Sequence, residues 1–479
     1  MQLTQPLHQA RLEQPDATAL VCGQRRSSFA ALADRVARLA MLGHNSDHCG
    51  VIFYAVWCAG EVINPVNMRW SARAIAYSLD DCATRILLVD DNFHSTVAGL
   101  RSLSHGLRNL MHWGNGAAPE GVNRLDGPLL AAQTQPIADA DPGSQDLAAV
   151  MYTGGTTGRP KGVMLTHANL VLNLLAANQA ATRPLDVAGI TIAPIFHVGG
   201  MGLVLQRMQR LCRQDILPGF DELALLQAIA DEWGNEPFLV PTMLRRLVEH
   251  PRFAEFDTSA LPLVLYGAAP IDGSLPAQAQ RALPAAGFCQ LCGMTELSPV
   301  VTALPAWCHA PGQPVVSGVV GEIASRGPCV MAGDWNQPEQ IAAAVQDGWM
   351  HTGDSGWMDV DGFVYAVDRR KDMSVTGGEN LHSAEVENAF ALLPAVSLVA
   401  VIGVPDDRWG ERVHAVVVPR AGLALDADAL IADCREQIAG YKCPRSVKFR
   451  SALPLSAAGK ALKHGLRAPF WAGRSRAVH

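Results

Sequence analysis

Twelve residues, Tyr152–Val163 (YTGGTTGRPKGV), gather four glycines, three threonine hydroxyls and one lysine. Glycine lets a backbone turn sharply and bring its N–H groups close to an anion, and hydroxyls add donors without bulk. Thr153, Gly154, Gly155, Thr156, Thr157 and Gly158 therefore read as a phosphate cradle, with Lys161 beside it. An ordinary turn between two strands would not need three hydroxyls and a lysine in so short a loop. The loop is not the usual P-loop, because Lys161 follows Pro160 and precedes Gly162. No Gly-x-Gly-x-x-Gly dinucleotide fingerprint occurs at this site either, and Gly459-Lys460 is followed by Ala461. Composition alone leads to a nucleotide's phosphates held by an unusual scheme, and no further.

Other residues that could do chemistry each carry a blander reading. His197 lies between Phe196 and the pair Gly199-Gly200. A lone histidine at a strand end is more often a satisfied core residue than a catalytic one. Glu296, in Gln290–Glu296, reads by itself as a surface carboxylate. Asp354 follows a glycine in Gly348–Asp354, where an aspartate also serves as a turn former. Lys460 follows a glycine on an exposed loop and reads as a solvated lysine. Cys289-Gln-Leu-Cys292 lacks the second ligand pair of a zinc site, Cys308 with His309 being a poor substitute. Two small buried residues in a strand account for it better.

These residues sit on elements that the hydrophobic pattern outlines. Leu147–Met151 is an apolar run that leads into the glycine loop as a buried strand. Thr18–Cys22 reads as a strand and Phe29–Ala40 as a helix with apolar positions three and four apart. Val51–Gly60 is a buried helix, too short to span a bilayer. Ser71 caps a helix over Ala72–Leu79, and Arg85–Val89 is a strand. Helices alternating with apolar strands indicate a parallel α/β sheet. Residues 112–145 read as loop, and Asn169–Ala180 as a helix. Phe238–Met243 and Val264–Pro270 are strand-to-loop ends of the kind that build binding crevices in such sheets. Val360-Asp-Gly-Phe363 signals a hairpin turn, and the charged run Asp368–Asp372 a solvated hinge. Beyond it, a helix over Ala384–Phe390 and strands over Ser397–Gly403 and Val413–Val418 describe a small α+β unit.

A chain of 479 residues exceeds a single ordinary core, so two or more domains are expected. Its 49% apolar, 17% charged and 6% aromatic content excludes the disordered and fibrous classes. The N-terminus has no secretory pattern, and eleven scattered cysteines then fit reduced thiols in a cytoplasmic protein. The net charge of −7 is uneven: residues 369–479 carry 16 Lys/Arg against 11 Asp/Glu. A basic end can mean nucleic acid, but no aromatic interleaving or DNA-binding motif accompanies it, so that reading ranks last.

Tyr152–Val163 resembles the phosphate-loop signature of the adenylate-forming superfamily, which holds acyl-CoA synthetases, aryl-CoA ligases, luciferases and adenylation domains. Gly154 stands where that family usually has serine. Further motifs follow in the family's order between about residues 15 and 467. The resemblance implies an α/β fold: a large N-terminal domain over 1–368, with a small β-barrel-like part, and a small mobile α+β domain over 369–479. It implies an ATP-dependent carboxylic acid–CoA ligase, an AMP-forming acid–thiol ligase using ATP, Mg²⁺ and coenzyme A. His197 would line the carboxylate tunnel. Gly267, Ala268, Ala269 and Pro270 would present backbone to adenine and the acyl group. Cys292 stands where an aromatic residue usually packs on adenine, followed by Gly293 and Met294. Thr295 and Glu296 would hold the nucleotide and its Mg²⁺, and Asp354 and Arg369 the ribose. Lys371 would be the hinge pivot, Gly377 and Gly378 would face the thiol, and Lys460 would be the catalytic lysine.

The implied partners are a small-molecule carboxylic acid, aryl or medium- to long-chain, with ATP and CoA. No nucleic acid and no integral membrane segment are implied, and a homodimer is left open. Two alternatives stand beside this reading: loading of a carrier protein, and a nucleotide-binding relative without catalysis. The second is motivated by Cys292 and by two contractions against the family, between Ala40 and Gly43 and near Ser317–Val320. Leu455 and Ala457 also replace the polar residues usual before the lysine.

Overall fold

Every residue of the short run Leu263–Gly267 is buried, and such a strand is stable only inside a sheet covered on both faces. It lies in an eight-stranded sheet. The order is Val300–Leu304, Gly287–Gly293, Leu263–Gly267, Gly234–Leu239, Ala188–Thr191, Gln214–Ile216, Thr18–Cys22 and Arg25–Ser28. The six inner strands are parallel and the two edges antiparallel. The chain's computed structural model describes residues 2–472 apart from 23–24, 29–39, 115, 126–138, 154–159, 181–187, 233, 270, 272–274, 305–320, 360–361, 370–371, 377–378, 407–409, 424, 441 and 457–459.

A second parallel sheet joins Ala40–Leu42, Ile86–Val89, Asn109–His112 and Asn123–Arg124. Ala40 is thus the start of a strand; the rest of the helix expected over 29–40 lies outside the described residues. A strand does occupy Ala40–Leu42, where a contraction was expected to remove one. Two short strands also interrupt the expected loop over 112–145. The helix Asp47–Cys58 is buried along its whole length, as an all-round apolar sequence requires. Its Trp57 indole donates to the Ala148 carbonyl at 2.9 Å, tying the helix to the strand that enters the glycine loop. Burying Phe53, Tyr54 and Trp57 contributes roughly 2–3 kcal/mol each. Ser71 caps the helix Ala72–Asp81 by accepting from the Ala74 N–H at 3.4 Å.

The hairpin Leu147–Thr153/Lys161–Thr166 forms a third sheet with Gly333–Asp334, and Gly321–Ser325, Val345–Gln346, Trp349–Met358 and Val364–Arg369 form an open fourth sheet. The small barrel expected here is therefore an open sheet, with no closed barrel among the described residues. Trp349–Met358 and Val364–Arg369 pair antiparallel, while residues 360–361 of the expected turn between them lie outside the described residues.

The C-terminal region carries Ser374–Thr376, Glu379–Leu381, Val396–Asp406, Gly410–Pro419 and Ser446–Phe449 as one sheet. Alternation sorts its residues to two faces. Val401, Val413 and Val417 pack under the helices Ser383–Ala391 and Ala427–Gln437, whereas Ile402, Val404 and Val416 pack with Leu453 and Leu466. Large and small regions form the two-domain α/β arrangement, and no described helix is long and apolar enough to cross a membrane.

Candidate functional site

Four neighbouring parallel strands, Ala188–Thr191, Gly234–Leu239, Leu263–Gly267 and Gly287–Gly293, end at one edge of the large sheet. Crevices of open α/β sheets form at such carboxyl ends. Residues just beyond these strands wall a small apolar cleft. The first strand leads to Ala193, Pro194, Phe196, His197, Gly199 and Gly200, the second to Val240 and Met243, and the third to Ala268. Among the described residues of this lining, His197 is the one ionisable group.

His197 caps the helix Val198–Gln209, its Nδ1 accepting from the Gly199 N–H at 3.2 Å. An accepting Nδ1 leaves the ring proton on Nε2, so the neutral imidazole is a donor there. Burial first, and the charge of Lys460 second, push its pKa down to about 4. A lysine from the far end of the chain therefore acts electrostatically on the histidine of the cleft. Lys460 itself is half-buried. Its backbone N–H donates to Ser456 Oγ at 3.1 Å and its carbonyl accepts from the Ser456 N–H at 2.7 Å, closing the loop between them. Residues 457–459 lie outside the described residues, so the effect of Ala457 on that loop does too.

A buried cation fixes the helix that carries His197. Arg207 donates to Thr191 Oγ1 and to the Glu236 carbonyl, both at 2.6 Å, bracing the helix against two of the four strands. Glu236 also pairs with Arg210 at 3.2 Å. Gly189 leaves the space for this arginine: a Cβ there would stand 1.8 Å from Arg207 Nε.

Three glycines of the site permit contacts that a side chain would block. A Cβ on Gly200 would come 2.2 Å from the Pro194 carbonyl oxygen. On Gly267, at φ +151°, it would meet the Leu291 oxygen at 1.9 Å, and on Gly293 the Pro299 oxygen at 1.7 Å. Ala268 follows with φ +63°. Ala269 is half-buried after it, and Pro270 lies outside the described residues. Gly267 and Leu291 are register partners, so Gly267–Ala269 lies beside Cys292–Met294 at the strand ends. Cys292 is exposed while Cys289 is buried, which corrects the expectation that both were interior residues. Alternation along the strand does not fix Cys292, because the strand ends at Gly293.

Thr295 and Glu296 occupy a 3₁₀ turn, Thr295–Leu297, directly after Met294. Thr295 is buried and Glu296 half-buried, and the Glu296 carbonyl accepts from the Met331 N–H at 2.8 Å. Asp354 is in mid-strand, not a turn, and its register partner is Arg369. Gly353, at φ +72°, precedes it and donates to Glu322 Oε1 at 3.0 Å.

The glycine cradle itself, residues 154–159, lies outside the described residues, as do Lys371, Gly377 and Gly378. Its flanks are described. Thr153 and Lys161 are paired across the antiparallel hairpin Leu147–Thr153/Lys161–Thr166, so the loop connects two strands. Lys161 Nζ lies 3.7 Å from the buried carboxylate of Asp334, which burial raises and this lysine lowers. Tyr152 donates to Asp81 at 2.6 Å, anchoring the loop's entry. Asp334 and Arg207 escaped sequence reasoning, since their partners are distant in the chain, and so did the closure of Ser456 on Lys460 within the last motif.

A family model described as AMP-binding enzyme matches residues 7–335, and one described as AMP-binding enzyme C-terminal domain matches residues 385–460. Among curated proteins, a feruloyl-CoA synthase of Amycolatopsis is 36% identical over 97% of this chain and 98% of its own. A fatty acid–[acyl-carrier-protein] ligase of Streptomyces coeruleorubidus is 32% identical over 92% of this chain and 88% of its own. Among solved structures, ATP-bound MatB of Rhodopseudomonas palustris superposes with a TM-score of 0.87 at 28% identity, covering 98% of this chain and 99% of that one.

Proposed function

The chain belongs to the AMP-binding enzyme family, and from that premise we propose how its cleft works. It is an AMP-forming acid–thiol ligase. Its substrate is an aryl or medium- to long-chain carboxylic acid, and its acceptor is coenzyme A. The apolar lining with Phe196 suits such a group and offers no charged partner to a polar tail.

In the first step a carboxylate oxygen attacks the α-phosphorus of ATP, and the bond to the bridging oxygen breaks to release pyrophosphate. Two anions must approach, so a cation is needed between them. Lys460 is that cation, and the neutral His197 donates from Nε2 without adding charge. The observation carrying this reading is the apolar cleft at the strand ends, with His197 in its lining, in a chain of the AMP-binding enzyme family. Thr153–Gly158 would hold the leaving pyrophosphate, Asp354 and Arg369 the ribose, and Gly267–Pro270 with Cys292–Met294 the adenine side. The Thr295–Glu296 turn offers oxygen donors only, which suits the hard cation Mg²⁺. That ion, when bound, neutralises phosphate charge.

In the second step the thiol sulfur attacks the acyl carbon, the acyl–AMP bond breaks and the thiol proton is lost to solvent. The large domain, 1–368, binds acid and nucleotide. The small domain, 369–479, pivots at Lys371 to bring Gly377 and Gly378 to the thiol. The enzyme works in the cytoplasm. A panel of aryl and fatty acids with ATP, Mg²⁺ and CoA tests the reading by acid-dependent pyrophosphate release and CoA consumption. The 32% identical carrier-protein ligase motivates a second acceptor. Pyrophosphate release without CoA consumption would favour it.

A further inference from the structure

We propose that Ser383 and Lys463 are positioning residues for Lys460, fastening the lysine loop to the strand that precedes the interdomain junction. The proposal rests on the role given to Lys460 above. Asp368 is the penultimate residue of the strand Val364–Arg369. Its Oδ2 accepts from both the backbone N–H and the hydroxyl of Ser383, the hydroxyl at 2.7 Å. Ser383 opens the helix Ser383–Ala391, beyond junction residues 370–371. This contact therefore spans the junction.

The same hydroxyl is in contact with Lys463 Nζ. A serine can do both, spending its one proton on Asp368 and accepting from the ammonium through a lone pair. Lys463 also pairs with Glu387 at 2.8 Å, and Glu387 accepts from the Val401 N–H at 2.7 Å. The side chains of Lys463 and Glu387 are only 13% and 16% exposed, so neither charge is at liberty to find another partner. Burial lowers the Lys463 ammonium, but the carboxylates of Glu387 and Asp368 outweigh it and hold it above its ordinary value.

Lys463 stands three residues after Lys460 and opens the helix Lys463–Arg467. The intervening chain has little slack. Leu455 bridges to Ala461, the Leu462 N–H donates to the Pro454 carbonyl at 2.8 Å, and Ser456 closes on Lys460. The place of Lys463 thus sets the place of Lys460. If the pair with Glu387 served only to stabilise the small domain, the contact through Ser383 to Asp368 would be dispensable. Arg467, bonded to Asp372 at 3.1 Å, ties the same helix to the small-domain side of the junction.

The test uses the full chain with Ser383→Ala, which cuts the bridge yet keeps the Lys463–Glu387 pair and the Ser383 backbone N–H. Acid-dependent pyrophosphate release should fall roughly tenfold in kcat with KM for ATP unchanged, the loss of one charge-assisted hydrogen bond. Thioester formation from supplied acyl-adenylate should stay within about twofold of wild type, since that step does not use Lys460. Amide exchange at Ser456 and Lys460 should quicken, with only a small fall in thermal midpoint from the lost hydroxyl. Lys463→Met should act in the same direction and Lys463→Arg should recover most of the loss. Unchanged adenylation with unchanged exchange overturns the proposal, as does an equal loss in both half-reactions. If the wild-type chain adenylates no acid, the functional reading fails on its own. The exchange measurement then decides the network, faster exchange supporting it and unchanged exchange overturning it.

Discussion

Asp354 and Arg369 face one another as register partners across the antiparallel strands Trp349–Met358 and Val364–Arg369. Sheet pairing fixes their backbones side by side, although fifteen positions separate them in the chain.

A ribose with two hydroxyls is the ligand suited to the Asp354 carboxylate, which accepts through both oxygens. Asp354→Ala should raise KM for ATP roughly ten- to a hundredfold, in line with lost hydrogen bonds to a charged acceptor. The variant should also lose the preference for ATP over 2′-deoxy-ATP. Competition kinetics with the two nucleotides checks this, and a preserved preference removes Asp354 from the ribose site.

His197 should not titrate in the working pH range. Its pKa is pushed down to about 4, so the acid limb of kcat/KM should contain no inflection near 6.5 from this group. For stability, the unfolded imidazole takes up a proton below about 6.5 that the folded one refuses until about pH 4. The contribution is therefore present above 6.5 and is lost as pH falls towards 4. His167 and His414, also buried and also near 4, act in the same sense. Thermal midpoints should decline across this window, and less steeply in His197→Gln; equal slopes contradict the assignment.

Arg207→Met should destabilise the large domain by roughly 3–5 kcal/mol, because it strips the buried Glu236 of a neighbouring cation and leaves Thr191 without its donor. Adenylation should fall in proportion to lost folding only if His197 keeps its place. A denaturant titration together with kcat at low temperature separates the two effects.

Lys161→Met should cost stability more than catalysis. Its Nζ faces the Asp334 carboxylate, and a lysine a quarter exposed makes the loss about 1–2 kcal/mol after solvent screening. A fall of kcat/KM by more than about a hundredfold with an unchanged midpoint would return Lys161 to the phosphates.

Much of this arrangement was legible in the sequence where signals were local. The buried strand Leu147–Met151, the all-apolar helix before Gly60, the Ser71 cap and the strand ends at Phe238–Met243 and Val264–Ala269 follow from periodicity and capping. Those strand ends also led to the edge of the sheet where the cleft lies. What was hidden depends on long-range pairing. Asp354 read as a turn former because Thr-Gly-Asp is turn-like, and only the partner strand holds it extended. Cys292 read as interior with Cys289 as two small residues of one strand, whereas that strand stops one residue later. The buried Arg207, placed by Gly189 and Glu236, has no signal in any window of the chain.

The most direct measurement concerns Lys460, the cation proposed to stand between carboxylate and phosphate. Pyrophosphate release and thioester formation are followed separately in Lys460→Ala. Acid-dependent pyrophosphate release should fall by at least about a thousandfold, the scale of losing a preorganised charge at the transition state. Thioester formation from supplied acyl-adenylate and CoA should persist near the wild-type rate. Adenylation that survives in this variant contradicts the account, because Lys460 would then not be the cation between carboxylate and phosphate.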